Sequence, residues 1–317
     1  MRDGFGREIT YLRVSITDRC NLRCRYCMPE DGVCKLTHRD ILRYEEIAEI
    51  VAMGAELGIQ KVRITGGEPL VRRGCGALCG LIAGIPGVRE LALTTNGILL
   101  EDQALELKAA GVQRVNVSLD TMDPEKYRYI TGGGELRQVL RGMEAAWDAG
   151  LRPLKINTVL IGGFNDDEIP ALTALTRDYP LEVRFIELMP LGPGAGLGNA
   201  AYLPGRTVLE RVPELRPVPN SGGVARLYAL PGAQGRVGLI RPLSCQFCGD
   251  CDRLRLTAEG SLKPCLHSGQ EIPVRGLHGE ALREAILGAA MAKPQSHGNL
   301  GPAAPSRAGR TMNTIGG

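Results

Sequence analysis

The sequence predicts an α/β fold: a parallel sheet of six βα units forming an open, partial barrel, followed by a C-terminal extension with its own cysteine cluster. Three observations predict it. Between Tyr11 and about Leu188, short strand-like runs alternate with amphipathic stretches, the pattern of repeated βα units and a parallel sheet. Six units fall short of the eight that close a barrel, with a doubly wound sheet as the alternative. Beyond Gly192 the alternation gives way to Gly- and Pro-rich sequence and a second group of cysteines. Two parts follow, residues 5–222 and 223–317.

The strands read as Tyr11–Thr17, Lys61–Thr65, Glu90–Thr94, Arg114–Ser118, Leu154–Leu160 and Leu181–Leu188. Helical stretches between them include Tyr44–Leu57, Glu101–Ala110, Leu136–Ala149 and Asp167–Arg177. One face of nearly every strand is polar. Arg13, Ser15 and Thr17 share a face on the first strand, and Lys61, Arg63 and Thr65 on the second. Arg114, Asn116 and Ser118 follow on the fourth, Lys155 and Asn157 on the fifth, and Glu182 and Arg184 on the sixth. The opposite faces are apolar and belong against helices, so the polar faces line a lumen. Cations inside a parallel sheet are costly unless paired, and a polyanionic ligand is the simplest partner.

The first cysteines follow the first strand directly: Cys20, Cys24 and Cys27, spaced C-x3-C-x2-C, with the aromatic Tyr26 before the third. Thiolates suit iron–sulfur clusters, zinc or Cu(I). A [4Fe–4S] cluster closed by protein takes four thiolates. Three leave one iron open to a small molecule, as an open metal site does. The strand ends carry further polar turns: Thr65-Gly66-Gly67-Glu68-Pro69, Thr94-Thr95-Asn96-Gly97 and Ser118-Leu119-Asp120. Glycines let backbone approach a ligand closely, and Glu68 could accept from an ammonium.

After a loop expected to be flexible, Gly192 to Gly198, no βα unit is legible. Cys245, Cys248 and Cys251 recur at intervals of three, and Cys265 follows after a gap of thirteen residues. Spacing alone leaves a closed zinc site and an iron–sulfur cluster open, with His267 a spare ligand. Beside the N-terminal triad, iron–sulfur is the better reading. Within this stretch Arg253-Leu254-Arg255-Leu256 puts two arginines on one face. Cys34, Cys75 and Cys79 read as ordinary buried thiols. The last residues, Lys293 to Gly317, have the composition of a disordered tail.

In the chain's 317 residues, 44% are hydrophobic, enough for a sizeable core, and the net charge is only +3. No global field favours nucleic acid. No run is long and apolar enough for a membrane span, and no signal-peptide h-region is legible. Ten cysteines without a secretion signal point to metal or redox chemistry in a reducing, cytoplasmic setting.

The cysteine triad and the Gly-Gly-Glu-Pro run resemble the signatures of the radical S-adenosylmethionine (SAM) enzymes. With the second cluster, the basic lumen and the terminal Gly316-Gly317, the chain is similar over nearly its whole length to one branch, the GTP 3′,8-cyclases of molybdenum cofactor biosynthesis. Further carriers are Phe5-Gly6-Arg7-Glu8, Arg63-Ile64-Thr65 and Arg184-Phe185-Ile186-Glu187-Leu188-Met189. The resemblance implies two [4Fe–4S] clusters, on Cys20, Cys24 and Cys27 and on Cys248, Cys251 and Cys265. It implies SAM contacts from Tyr26, Gly67, Ser118 and Met189. GTP contacts would come from Arg13, Arg63, Thr94, Lys155, Arg253, Leu254 and Arg255, with Lys61 and Arg184 as phosphate neighbours. SAM cleavage would give a deoxyadenosyl radical that removes the ribose 3′ hydrogen, and the sugar radical would attack guanine C8. Arg13, Gly316 and Gly317 would serve in catalysis. The product would pass to the next pathway enzyme, cyclic pyranopterin monophosphate synthase, and a homodimer is possible. A radical-SAM peptide-modifying enzyme and a zinc-stapled binding module are the competing readings. Cys245 is a thiol beyond the family's three.

Overall fold

The computed structural model describes residues 1–29, 32, 36–219, 223–301 and 304–316; Cys34 and Gly317 lie outside them. The βα units run in the expected order: β1 (Tyr11–Ser15), α1 (Tyr44–Glu56), β2 (Lys61–Thr65), α2 (Cys75–Ala83), β3 (Glu90–Thr95) and α3 (Leu100–Ala109). β4 (Arg114–Ser118), α4 (Pro124–Thr131), α5 (Leu136–Asp148), β5 (Lys155–Leu160), α6 (Ile169–Asp178) and β6 (Glu182–Glu187) complete them. The short elements α7 (Pro193–Gly196), α8 (Thr207–Arg211), β7 (Arg216–Pro217), β8 (Arg226–Ala229) and β9 (Arg236–Ile240) follow. β10 (Arg253–Leu256), β11 (Ser261–Lys263), β12 (Ile272–Pro273), α9 (Gly279–Met291) and α10 (Met312–Ile315) end the chain.

The strands form one sheet in the order β12-β11-β10-β1-β2-β3-β4-β5-β6-β9-β8-β7. Sequence reading stops at six parallel strands, and the structure adds two. β10 pairs parallel with β1, and β9 pairs parallel with β6. β9 is reached through the short helices α7 and α8 and the antiparallel strands β7 and β8, and β10 through a loop, so neither follows a full-length crossover helix and no βα unit was legible there. Both then continue into antiparallel neighbours, so the barrel stays open. The Gly192–Gly198 segment, expected to be a flexible loop, contains the single helical turn α7. The helical region between the second and third strands is α2, whose run CGALCGLIA has no polar face to give a period. Cys75 and Cys79 are buried in it.

The apolar strand faces build the core. Leu12, Val14, Val62, Ile64, Leu93, Val115, Val117, Ile156, Val183 and Phe185 are at most 3% exposed. They join Ile47, Leu78, Leu107, Val139 and Leu172 of the covering helices in one cluster. Burying such side chains stabilises by roughly 1.5–3 kcal/mol each. That packing fixes the register, and a one-residue slip would turn the lumen arginines into it.

Register aligns the polar faces into rows across the sheet. Arg255, Arg13, Arg63, Ala92 and Arg114 form one row. Arg253, Tyr11, Lys61 and Glu90 form the row below it, nearer the strand starts. Thr94, Asn116, Lys155 and Glu182 make a third, and Ser118, Asn157 and Arg184 a fourth.

Candidate active site

These rows face a cavity of about 510 Å³. Cys20, Cys24 and Cys27 line it, as do Cys248, Cys251 and Cys265. The first triad lies beyond the C-terminal end of β1. Cys251 lies just before β10, whose Arg253 is level with Tyr11 at the start of β1. The two triads therefore sit at opposite ends of the strands, with the arginine rows between. The step from Cys251's level to the end of β1 is about six residues, or ~20 Å at ~3.3 Å per residue.

Turns at the strand ends fix the first triad. Gly67 donates its N–H to Thr17 O at 2.8 Å, and Glu68 N donates to Arg19 O at 2.8 Å. A Cβ on Gly67 would lie 2.5 Å from Arg19 O, so only glycine lets the two loops touch. Glu68 is buried and accepts from Leu70 N, Thr95 Oγ1 and Asn96 N at 2.7–3.1 Å. Both its oxygens brace neighbouring turns, a role the sequence did not show. Burial pushes its pKa up to about 7, against those hydrogen bonds. Asp120 accepts from the Tyr26 hydroxyl and from Val159 N, both at 2.8 Å, and burial raises it to about 6. Asp120 thus holds the aromatic next to the triad.

The three thiols fit a thiophilic cationic group. Burial pushes Cys27 up to about 12, with Cys20 adding to it, and burial followed by Cys27 holds Cys24 well above its ordinary value. Half-buried thiols whose thiolates would repel one another keep their protons until a cationic metal centre displaces them. Among the described residues, no three Cys, His, Asp or Glu side chains converge closely enough to hold a single metal ion.

The second triad is held by its own clamps. Arg7 donates to Cys248 O at 2.6 Å and to Pro294 O at 2.7 Å. Lys293, 3% exposed, donates to Arg253 O and Pro264 O. Glu187, fully buried at the end of β6, accepts from Gly205, Leu243 and Ser244 backbone N–H groups. It thereby anchors the loop that leads to Cys245. Burial would raise Cys248, but hydrogen bonds with His297 outweigh it and leave the thiol below its ordinary value. His267 and His297 meet edge to face at 5.1 Å on the same wall. Sequence reading missed Arg7's clamp, Lys293, His297 and the bracing roles of Asp120 and Glu187. Residues 7 and 120 stood inside flagged runs, but their partners lie far away in sequence.

Most of the expected contact residues converge on the cavity: Arg13, Arg63, Thr94, Lys155, Arg253 and Arg255, with Tyr26, Gly67, Ser118 and Met189. Lys61 and Arg184 join them. Leu254 does not: its side chain is 1% exposed in the core, so any contact it makes is main-chain. Arg13, Arg63 and Arg255 are 7–9% exposed. Burial pushes the first two down to about 9 and Arg255 to about 10. Glu182 pairs with Lys155 and Arg184, and Glu90 with Arg114. The Arg63 Nε and Thr94 Oγ1 atoms are buried without hydrogen-bond partners. Arg63 and Thr94 thus present polar atoms to the cavity that no protein group answers.

The C-terminal residues close over this site. Arg310 pairs with Glu259 and Glu271, and Asn313 Nδ2 donates to Asp18 O at 3.2 Å. The Asn313 backbone N–H reaches the Cys27 sulfur. Gly316 O accepts from Arg255 at 2.6 Å. The disordered-tail reading is thus corrected for residues 304–316, while Gly317 lies outside the described residues.

Residues 14–175 match the Radical SAM superfamily, and residues 181–299 match Molybdenum Cofactor Synthesis C. The chain is 48% identical, over all of both chains, to the GTP 3′,8-cyclase of Alkaliphilus oremlandii. It is 51% identical to that of Peptoclostridium acidaminophilum, covering 93% of this chain and 92% of the relative. The chain belongs to the GTP 3′,8-cyclase family. Among solved structures, Streptococcus suis SuiB is 15% identical with a TM-score of 0.65, covering 92% of this chain and 67% of SuiB. Native anSMEcpe with bound AdoMet is 15% identical at 0.59, covering 92% and 82%. Both share the cyclase's fold and, at that identity, nothing more. The cofactors of a GTP 3′,8-cyclase are two [4Fe–4S] clusters and SAM, and this chain has a thiol triad for each.

Proposed function

We propose that the cavity divides the work of a GTP 3′,8-cyclase between its two ends. The chain converts GTP to 3′,8-cyclo-7,8-dihydro-GTP, the first step of molybdenum cofactor biosynthesis. Cys20, Cys24 and Cys27 hold the first cluster, and Cys248, Cys251 and Cys265 the second. Bound at the first triad, a reduced cluster supplies the electron that cleaves SAM. Tyr26, steadied by Asp120, and Gly67, Ser118 and Met189 hold SAM. Arg13, Arg63, Thr94, Lys155, Arg253, Arg255 and the Leu254 main chain hold GTP, with Lys61 and Arg184 on its phosphates. Arginine suits this because its planar fork grips phosphate oxygens in pairs. Gly316 closes the site and keeps water from a radical, and the catalytic role of Gly317, outside the described residues, follows from the family resemblance.

The row of buried arginines between the triads carries this reading. A peptide would leave those charges unanswered. The division into residues 5–222 and 223–317, hand-over of product to cyclic pyranopterin monophosphate synthase, a possible homodimer and a cytoplasmic location belong to the same proposal. Among the described residues no helix is long and apolar enough to cross a membrane. The test is anaerobic incubation with GTP, SAM and dithionite, followed by mass analysis. Appearance of the cyclised nucleotide together with 5′-deoxyadenosine is expected. SAM cleavage with GTP unchanged would refute the substrate assignment.

A further inference from the structure

Tyr11 is the first residue of β1 and shares the lumen face with Arg13. It is 9% exposed, and its hydroxyl has no hydrogen-bond partner. Its register neighbours are Arg253 on one side and Lys61 on the other. The guanidinium of Arg63 lies 5.4 Å from its ring centroid and that of Arg253 5.6 Å away, within cation–π range.

A buried hydroxyl is rarely left unmatched. The charged groups set against its ring and beside it in register, Arg63, Arg253 and Lys61, are donors only: guanidinium and ammonium carry no acceptor. The nearby carboxylate of Glu90 is turned to Arg114. A phenol surrounded by cations needs an acceptor brought from outside, and those cations select an anion. Burial would raise the phenol's pKa, but Arg63, Arg13 and Arg253 outweigh it and hold the value below the ordinary one. That shift marks the strongly positive potential an arriving anion would meet.

We infer that Tyr11 is a further substrate-binding residue, its hydroxyl donating a hydrogen bond to a phosphate oxygen of the nucleotide. The inference rests on reading the cavity as the GTP site. It adds a neutral donor among the charged groups of the strand starts.

Equilibrium binding to anaerobically loaded enzyme tests it, with GTP, guanosine and SAM as the probes and Tyr11→Phe as the variant. Phe keeps the ring and its contacts with Arg63 and Arg253, and removes only an unpaired hydroxyl, so the thermal midpoint should hold. GTP affinity should fall about tenfold, since hydrogen bonds to charged groups are among the stronger ones. Guanosine and SAM affinities should change less than twofold. Undiminished GTP binding by Tyr11→Phe overturns the contact, and so does an equal loss for GTP and guanosine. Failure of the broader reading would show in the unmutated enzyme, as guanosine binding as tightly as GTP; the Tyr11 contact would fall with it.

Discussion

Cys245 is exposed and lies outside the cavity lining, whereas Cys248, Cys251 and Cys265 are half-buried on it. Thiol count favours a closed four-cysteine cluster; placement favours three ligands and an open iron. Cys245→Ala is therefore expected to keep its iron and its cyclisation. Cys248→Ala should lose the second cluster and the product while keeping the first. Iron and acid-labile sulfide analysis with electron paramagnetic resonance checks this. Loss of iron from Cys245→Ala equal to that from Cys248→Ala would mean a closed cluster. At this scale much was legible. Soft donors announce themselves by spacing, and arginines by alternation along a strand. The bracing roles were not legible: Glu68 and Glu187 stood in flagged runs and Lys293 in none, but their partners lie in other segments that only the fold brings near.

The C-terminal element works through Gly316. Its φ is +80°, and a Cβ there would sit 2.2 Å from Thr65 Oγ1 and 3.2 Å from Ser15 Cβ. A left-handed conformation costs an L-residue about 1–2 kcal/mol, and the clash with a buried strand adds to it. Gly316→Ala should therefore expel the tail from its place beside Arg255 rather than distort the sheet. Product formation should drop at least tenfold, with both clusters intact and the thermal midpoint within a few degrees. Full activity in the variant would mean that the tail's insertion does not matter to chemistry. Composition argued for disorder here, since Gly, Pro and Ala supply little apolar surface to bury. The tail is ordered instead by polar anchors, Arg310 on Glu259 and Glu271 and Asn313 on Asp18, and such long-range pairs leave no local pattern.

Over the whole molecule, the βα alternation showed six parallel strands and the polar face of their lumen. It did not show β9 and β10 as parallel strands, because no full-length crossover helix precedes either, although the alternation of Arg253 to Leu256 was visible. Those two strands matter to function: β10 lays Arg253 and Arg255 against Tyr11 and Arg13, and so sets the second triad at the far end of the first triad's cavity. The central claim is that the two ends do separate jobs on one bound nucleotide. Cys24→Ser tests it most directly, examined anaerobically for cluster content, GTP binding and 5′-deoxyadenosine. The variant should keep the second cluster and bind GTP within about threefold of the unmutated enzyme, yet form no 5′-deoxyadenosine. Normal 5′-deoxyadenosine formation, or loss of GTP binding together with SAM cleavage, would contradict the account.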